Sequence, residues 1–202
     1  GGVAALDLLE SPSATGRVVP AERPTISLTG LTVAYPGRDV PALHVEHETI
    51  RAGETVAVTG PSGCGKSTLL AVLLGFVRPT SGHVRVAGTD LTEIDLEAWR
   101  RSVAWVPQVP AVLSGTVGDN VRLGAPRAPE ADVRWALRAA GADDLDPARE
   151  CGEGGTLLSS GERRRLGVAR ALLRVRCAGA TLLLVDEPTA GLDAERERAV
   201  LE

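Results

Sequence analysis

The sequence predicts an α/β fold with a mostly parallel core sheet, an antiparallel β subdomain and an inserted helical subdomain. Three observations carry that expectation. Apolar stretches of strand length alternate with stretches of helical period, a glycine-rich turn at residues 60–65 separates a strand from a helix, and Leu182-Leu183-Leu184-Val185 is apolar without a break, as a strand covered on both faces should be. With 44% hydrophobic and 24% charged residues, the 202-residue chain has the composition of a globular protein large enough to bury a core.

Along the chain, residues 1–24 carry Ser11-Pro12-Ser13, Gly16, Pro20 and Pro24 after a short apolar stretch at 3–9, which reads as a linker following an upstream domain. Residues 26–35 and 42–50 alternate partly between apolar and polar, with Pro36-Gly37 between them, the pattern of paired strands. A third strand is expected at 55–59, then a helix from Lys66 to about Phe76. Residues 84–86 and 103–106 read as short strands. Residues 129–140 form an amphipathic helix with Val133, Ala136, Leu137 and Ala140 on one face. A further helix is expected from Gly161 to about Val175, and residues 110–161 read as the inserted helical subdomain.

Composition excludes several function classes. A net charge of −4 leaves no basic footprint for a phosphate backbone, and three Trp, one Tyr and one Phe are too few for a base-stacking platform, so no nucleic-acid partner is expected. The apolar runs are far shorter than the roughly 20 residues of a membrane-spanning helix. Cys64, Cys151 and Cys177 are odd in number and widely spaced, which indicates neither a disulfide framework nor a zinc site and fits a reducing, cytoplasmic setting. His44 and His47 have no further ligands nearby and read as a solvated or packed pair.

The chemistry sits in three motifs. Gly60-Pro61-Ser62-Gly63-Cys64-Gly65-Lys66-Ser67-Thr68 matches G-x-x-x-x-G-K-[ST] between an expected strand and an expected helix. Its glycines let backbone N–H groups face inward around an anion, and the helix N-terminus adds roughly half a positive charge. Lys66 is the one lysine among 22 basic residues, and a compact ammonium suits the β- and γ-phosphates where Arg's wide fork would not. Ser67 would supply a hydroxyl to Mg²⁺. At the end of the 182–185 strand, Asp186 is placed to bind Mg²⁺, directly or through water, and Glu187 to orient or deprotonate an attacking water. Leu158-Ser159-Ser160-Gly161-Glu162-Arg163 precedes an arginine-rich helix.

These segments, with Asp186-Glu187-Pro188-Thr189 and Gly191-Leu192-Asp193, occur in the order and spacing of the ATP-binding-cassette (ABC) family of P-loop ATPases, which the chain resembles from about residue 25 to 202. The resemblance implies ATP and Mg²⁺ as cofactors and a second cassette, in a homo- or heterodimer, as a head-to-tail partner. Ser159, Gly161 and Glu162 of one protomer would then close the site of the other, and Asp193 would cross the seam. Tyr35 matches the aromatic position that stacks on adenine, and Gln108 the glutamine that reaches metal and water and reports to the membrane domain.

Within the family, no heptad run between Thr68 and Leu158 suggests a coiled-coil repair or chromosome-organising ATPase, and one cassette rather than two argues against the translation-factor branch. Residues 108–117, Asp119-Asn120-Val121 and Gly152-Glu153-Gly154-Gly155 resemble the exporter pattern, and residues 3–12 resemble the tail joining a membrane domain to its cassette. That implies a transport-coupled ATPase fused to a transmembrane domain at the cytoplasmic face of a bacterial membrane. Leu73-Leu74-Gly75-Phe76-Val77, Trp99-Arg100-Arg101 and residues 103–108 resemble the CydD-type subunits of bacterial thiol exporters.

Some features depart from the pattern. Ser160 stands where the family has its second glycine and Glu162 where it has glutamine, which brings a carboxylate toward a docking polyanion and implies a weakened site. Residues 143–152 are short for an exporter. The chain also ends before the position of the family's switch histidine, as expected for a cassette cut at its C-terminus that turns over poorly. The competing reading is a nucleotide-gated dimerisation module with little turnover; the presence of Glu187 argues for hydrolysis.

Overall fold

The computed structural model of the chain describes residues 24–186. The expected linker at 1–24 lies outside the described residues except for Pro24, and Glu187 and Asp193 lie outside them altogether. The chain divides into two compact units at Arg100/Arg101.

The first unit is built on a four-stranded antiparallel sheet of order β2-β1-β3-β4, with β1 at Ile26–Val33, β2 at Leu43–Ile50, β3 at Ser81–Val86 and β4 at Thr89–Asp90. The alternation in β1 is only partial in the sequence because the strand carries a bulge: its register against β3 shifts between Thr29 and Thr32. The extra residue resets the pleat, so Ile26 and Leu28 before it and Leu31 and Val33 after it all face the core. Two glycines at positive φ, Gly30 and Gly82, meet there, and a Cβ on Gly82 would overlap the Gly30 carbonyl. β2 is mostly exposed and carries His44, Glu46, His47 and Glu48, polar cover for a sheet edge.

Helix α1 (Lys66–Leu73) buries Leu69, Val72 and Leu73. Its last carbonyls have no intrahelical partner, and α2 (Leu96–Arg101) supplies them. The indole Nε1 of fully buried Trp99 donates to the Leu73 carbonyl at 2.6 Å, and Arg100 donates to Leu74 (2.9 Å) and Gly75 (3.0 Å) while lying 4.9 Å from the centre of the Phe76 ring. The guanidinium also suits the negative end of the helix dipole.

Residues 55–59 do not form the expected strand. The antiparallel sheet of their unit offers them no ladder, and Val56 and Val58 are left 47% and 50% exposed. β-type residues become a strand only where another backbone pairs with them.

In the second unit, β5 (Val103–Val106) and β6 (Leu182–Val185) pair in parallel, in register from Val103 opposite Leu182 to Val106 opposite Val185. Parallel pairing is confined to these two strands among the described residues. β6 is not covered on both faces as its composition suggests: Leu184 is buried but Leu183, on the opposite face, is 43% exposed.

Helices α3 (Val117–Arg122), α4 (Glu130–Ala139) and α5 (Ser160–Ala178) form the expected helical part. They enclose a core that includes Val117, Val121, Val133, Ala136, Leu137, Cys151, Leu166 and Leu173. In α4 the buried positions are those the period indicates, Val133, Ala136 and Leu137, with Ala140 partly buried beside them. α5 ends on Gly179 at φ 73°.

Replacing Trp99 with Phe should leave the Leu73 carbonyl without its donor and open space in the core. We expect a loss of about 2–3 kcal/mol, read as a lower urea midpoint by far-UV circular dichroism.

Candidate functional site

The phosphate-loop motif is the connection into α1. Gly60, Gly63 and Gly65 hold φ values of 153°, 80° and 100°, two of them deep in the left-handed region that glycine alone tolerates at no cost. Gly65 has a second reason to be glycine, since a Cβ there would overlap the carbonyl oxygen of Ala42 at the mouth of β2. The Cys64 N–H donates to the Pro61 carbonyl at 3.3 Å, closing the turn, and Cys64 itself is exposed. α1 begins at Lys66 with no side-chain cap and no acidic residue in its first turn. Lys66 Nζ donates to the carbonyls of Gly60 (2.8 Å) and Pro61 (3.0 Å) and approaches Cys64 Sγ at 3.7 Å. Among the described residues no carboxylate pairs with it.

A helix start without a side-chain cap, a positive-φ loop and an ammonium held by neutral groups of that loop make a receptor for anionic oxygens. Those features fit a nucleotide triphosphate. Ser62, Ser67 and Thr68 lie in the same loop and first turn. Tyr35, half-buried, sits in the turn between β1 and β2, which the Ala42 N–H closes onto the Val33 carbonyl at 2.7 Å. Ala42 thus touches both the Tyr35 turn and Gly65, and brings the two into one neighbourhood of the first unit.

The second unit holds the other expected residues. Gln108 lies exposed two residues past β5, and Asp186, half-buried, one residue past β6. Parallel register puts both at the carboxyl ends of their strands, and the Asp186 N–H donates to the Val106 carbonyl at 2.9 Å. Carboxyl ends of parallel strands are where α/β folds bind ligands. Arg164 Nη2 reaches the Asp186 carbonyl at 3.3 Å. The segment after Gln108 is pinned to α5: Arg170 donates to the carbonyls of Ala111 (3.0 Å) and Asn120 (3.0 Å), and the buried Asn120 side chain bonds both the N–H and the carbonyl of Leu113.

At the start of α5, Ser159 is the N-cap and its hydroxyl accepts the Glu162 N–H at 3.2 Å. Glu162 Oε2 accepts the Ser159 N–H at 2.7 Å in return, and Glu162 Oε1 pairs with Arg149 Nη1 at 2.6 Å. The Ser159 N–H and the Arg149 guanidinium hold the Glu162 carboxyl at about 2, well below its usual value, so it is anionic at neutral pH. The S-x-x-E spacing is the sequence signal of this capping box. Arg149, thirteen residues upstream, has no such signal in the sequence.

No three His, Cys, Asp or Glu side chains converge among the described residues. Ser67 in the first unit and Asp186 in the second each carry an oxygen of the kind magnesium takes, and phosphate oxygens and water commonly complete that cation's shell.

The description "ABC transporter" fits a family model matching residues 43–190. The mycobactin import ATP-binding/permease protein IrtB of Mycolicibacterium thermoresistibile is 46% identical over 160 residues, which cover 76% of this chain and 27% of that protein. The β-(1→2)glucan export ATP-binding/permease protein NdvA of Rhizobium etli is 40% identical, covering 81% of this chain and 28% of that protein. A solved bacterial Atm1-family ABC exporter with ATP bound is similar in structure with a TM-score of 0.80 at 33% identity, over 94% of this chain and 33% of its own. The chain thus spans about a third or less of these relatives. With its phosphate loop, its capped Ser159 segment and its Asp186 strand inside the matched region, the chain belongs to the ABC transporter family.

Proposed function

We propose that the chain is the ATP-binding and ATP-hydrolysing cassette of an exporter-type ABC transporter, working through ATP-driven head-to-tail association of two cassettes. The observation that carries this reading is Lys66, whose ammonium meets the carbonyls and the Cys64 sulfur of its own loop, and no carboxylate among the described residues, at the head of an uncapped helix. Lys66 and the loop N–H groups would hold the β- and γ-phosphates, with Tyr35 against the adenine. Mg²⁺ supplies charge neutralisation on the phosphates when bound. Ser67 and Asp186 would hold it, Gln108 would orient water beside it, and Glu187 would take the water's proton. Ser159, Gly161 and Glu162 would face the partner's nucleotide, with Asp193 at the seam.

In this reading residues 25–202 are the cassette and residues 1–24 lead from a transmembrane domain, which sets the cassette at the cytoplasmic membrane face. No helix among the described residues is long and apolar enough to cross a membrane, so recognition of the transported molecule is assigned to that domain. The names of the relatives refer to mycobactin and glucan and lend no support to a thiol substrate.

Lys66→Ala should remove charge-assisted phosphate bonds of about 1.5–3 kcal/mol, a loss of about 10- to 150-fold in Mg-ATP affinity by calorimetry. Unchanged affinity would refute the assignment. A Glu187→Gln variant should double its light-scattering mass with Mg-ATP and not with Mg-ADP; a monomer that nevertheless binds ATP would remove closure between two copies of this chain from the reading.

A further inference from the structure

Glu162 poses an electrostatic problem. An ionised carboxylate in the first turn of α5 competes with phosphate for the positive end of the helix, and in the proposed function that end faces the partner's nucleotide. The structure directs the carboxylate backwards, onto the Ser159 N–H and the guanidinium of Arg149. The second arm of the same guanidinium, Nη2, donates to the Leu157 carbonyl at 2.8 Å. One side chain thus grips the carbonyl two residues before Ser159 and the carboxylate three residues after it.

Arg149 is itself held in place. Its carbonyl accepts the Val117 N–H at 2.8 Å, the Cys151 N–H donates to the Gly115 carbonyl at 2.9 Å, and an isolated antiparallel bridge joins Thr116 to Glu150 between them. Glu162 is 16% exposed in its side chain against 40% for Arg149, so the carboxylate is the more enclosed member. The N–H groups of Ser160 and Gly161, which have no intrahelical acceptor, remain open among the described residues.

We propose that Arg149 is a positioning residue of the Ser159–Glu162 segment: by pairing with Glu162 it fixes the Ser159 cap and cancels the carboxylate's charge, leaving the first turn of α5 able to accept the γ-phosphate of a nucleotide held by a second copy. This rests on the association of two cassettes proposed above. A carboxylate stripped of its guanidinium would stand as a bare negative charge at the docking surface. The Glu in place of the family's glutamine is then tolerated because the arginine is there.

The test uses the full chain carrying Glu187→Gln and reads the Mg-ATP concentration at half-dimerisation by light scattering, with nucleotide binding to the monomer followed in parallel to monitor the phosphate loop. Adding Arg149→Ala should raise that concentration about tenfold or more. The same change made on top of Glu162→Gln should alter it less than about threefold, because no carboxylate remains to be neutralised. A purely structural Arg149, acting through the Leu157 carbonyl, would lose as much in either background, and that result overturns the proposal. So does an Arg149→Ala variant that dimerises like its parent. If Arg149→Ala loses its far-UV circular dichroism, Arg149→Gln keeps a donor for Leu157 without the charge and carries the same comparison. A parent that binds ATP but never dimerises overturns the two-cassette reading and this inference with it, whereas a parent that dimerises while the Arg149 variants behave alike overturns this inference alone.

Discussion

A helix leaves backbone groups unsatisfied at both ends, and how this chain deals with those groups governs the rest of its structure. The carbonyl end of α1 is closed by side chains, Trp99 and Arg100, which reach Leu73, Leu74 and Gly75 from α2. The amino end of α1 is left without a side-chain cap, and the glycine loop with Lys66 surrounds it. One end is closed by side chains, and the other is the end to which the proposed function assigns phosphate. α5 divides its start differently: Ser159 and Glu162 cap each other, while the Ser160 and Gly161 N–H groups stay open. In the proposed function both segments meet phosphate, α1 through its glycine loop and Lys66 and α5 through its open first-turn N–H groups.

α5 also shows what three of the arginines do. Arg164 reaches the Asp186 carbonyl, Arg170 the carbonyls of Ala111 and Asn120, and Arg174 those of Val103 (3.0 Å) and Arg101 (3.2 Å). A guanidinium reaches separated carbonyls from a rigid planar fork, whereas an ammonium offers its donors from one point. The helix that begins at Ser159 therefore holds the chain on either side of Gln108 and just past β6. Lysine appears once, in the phosphate loop, where a point charge is wanted.

Local patterns were legible where the physics is local. The four-strand reading at 26–35, 42–50, 84–86 and 103–106 and the amphipathic face of α4 needed only period and turn residues, and β1, β2, β3, β5 and α4 formed at those places. The run at 182–185 forms the expected strand but not one covered on both faces, since composition says which residues tolerate cover and not which neighbour provides it. Residues 55–59 show the same limit more strongly: apolar alternation without a pairing backbone leaves two valines half in water.

The order of the motifs along the chain identifies the family, and short spacings place the phosphate loop with its glycines and single lysine, and Gln108, Ser159 and Asp186 relative to strand and helix ends. The tertiary structure alone decided what becomes of the charge on Glu162. From composition that carboxylate reads as an obstacle to phosphate. In the fold it is turned onto the Ser159 N–H and paired with Arg149, which is brought to it by the 115–117 and 149–151 backbone pairing. A charge is tolerated or not according to its neighbours in space, and long-range backbone pairing, which leaves no periodic mark in a sequence, chooses those neighbours.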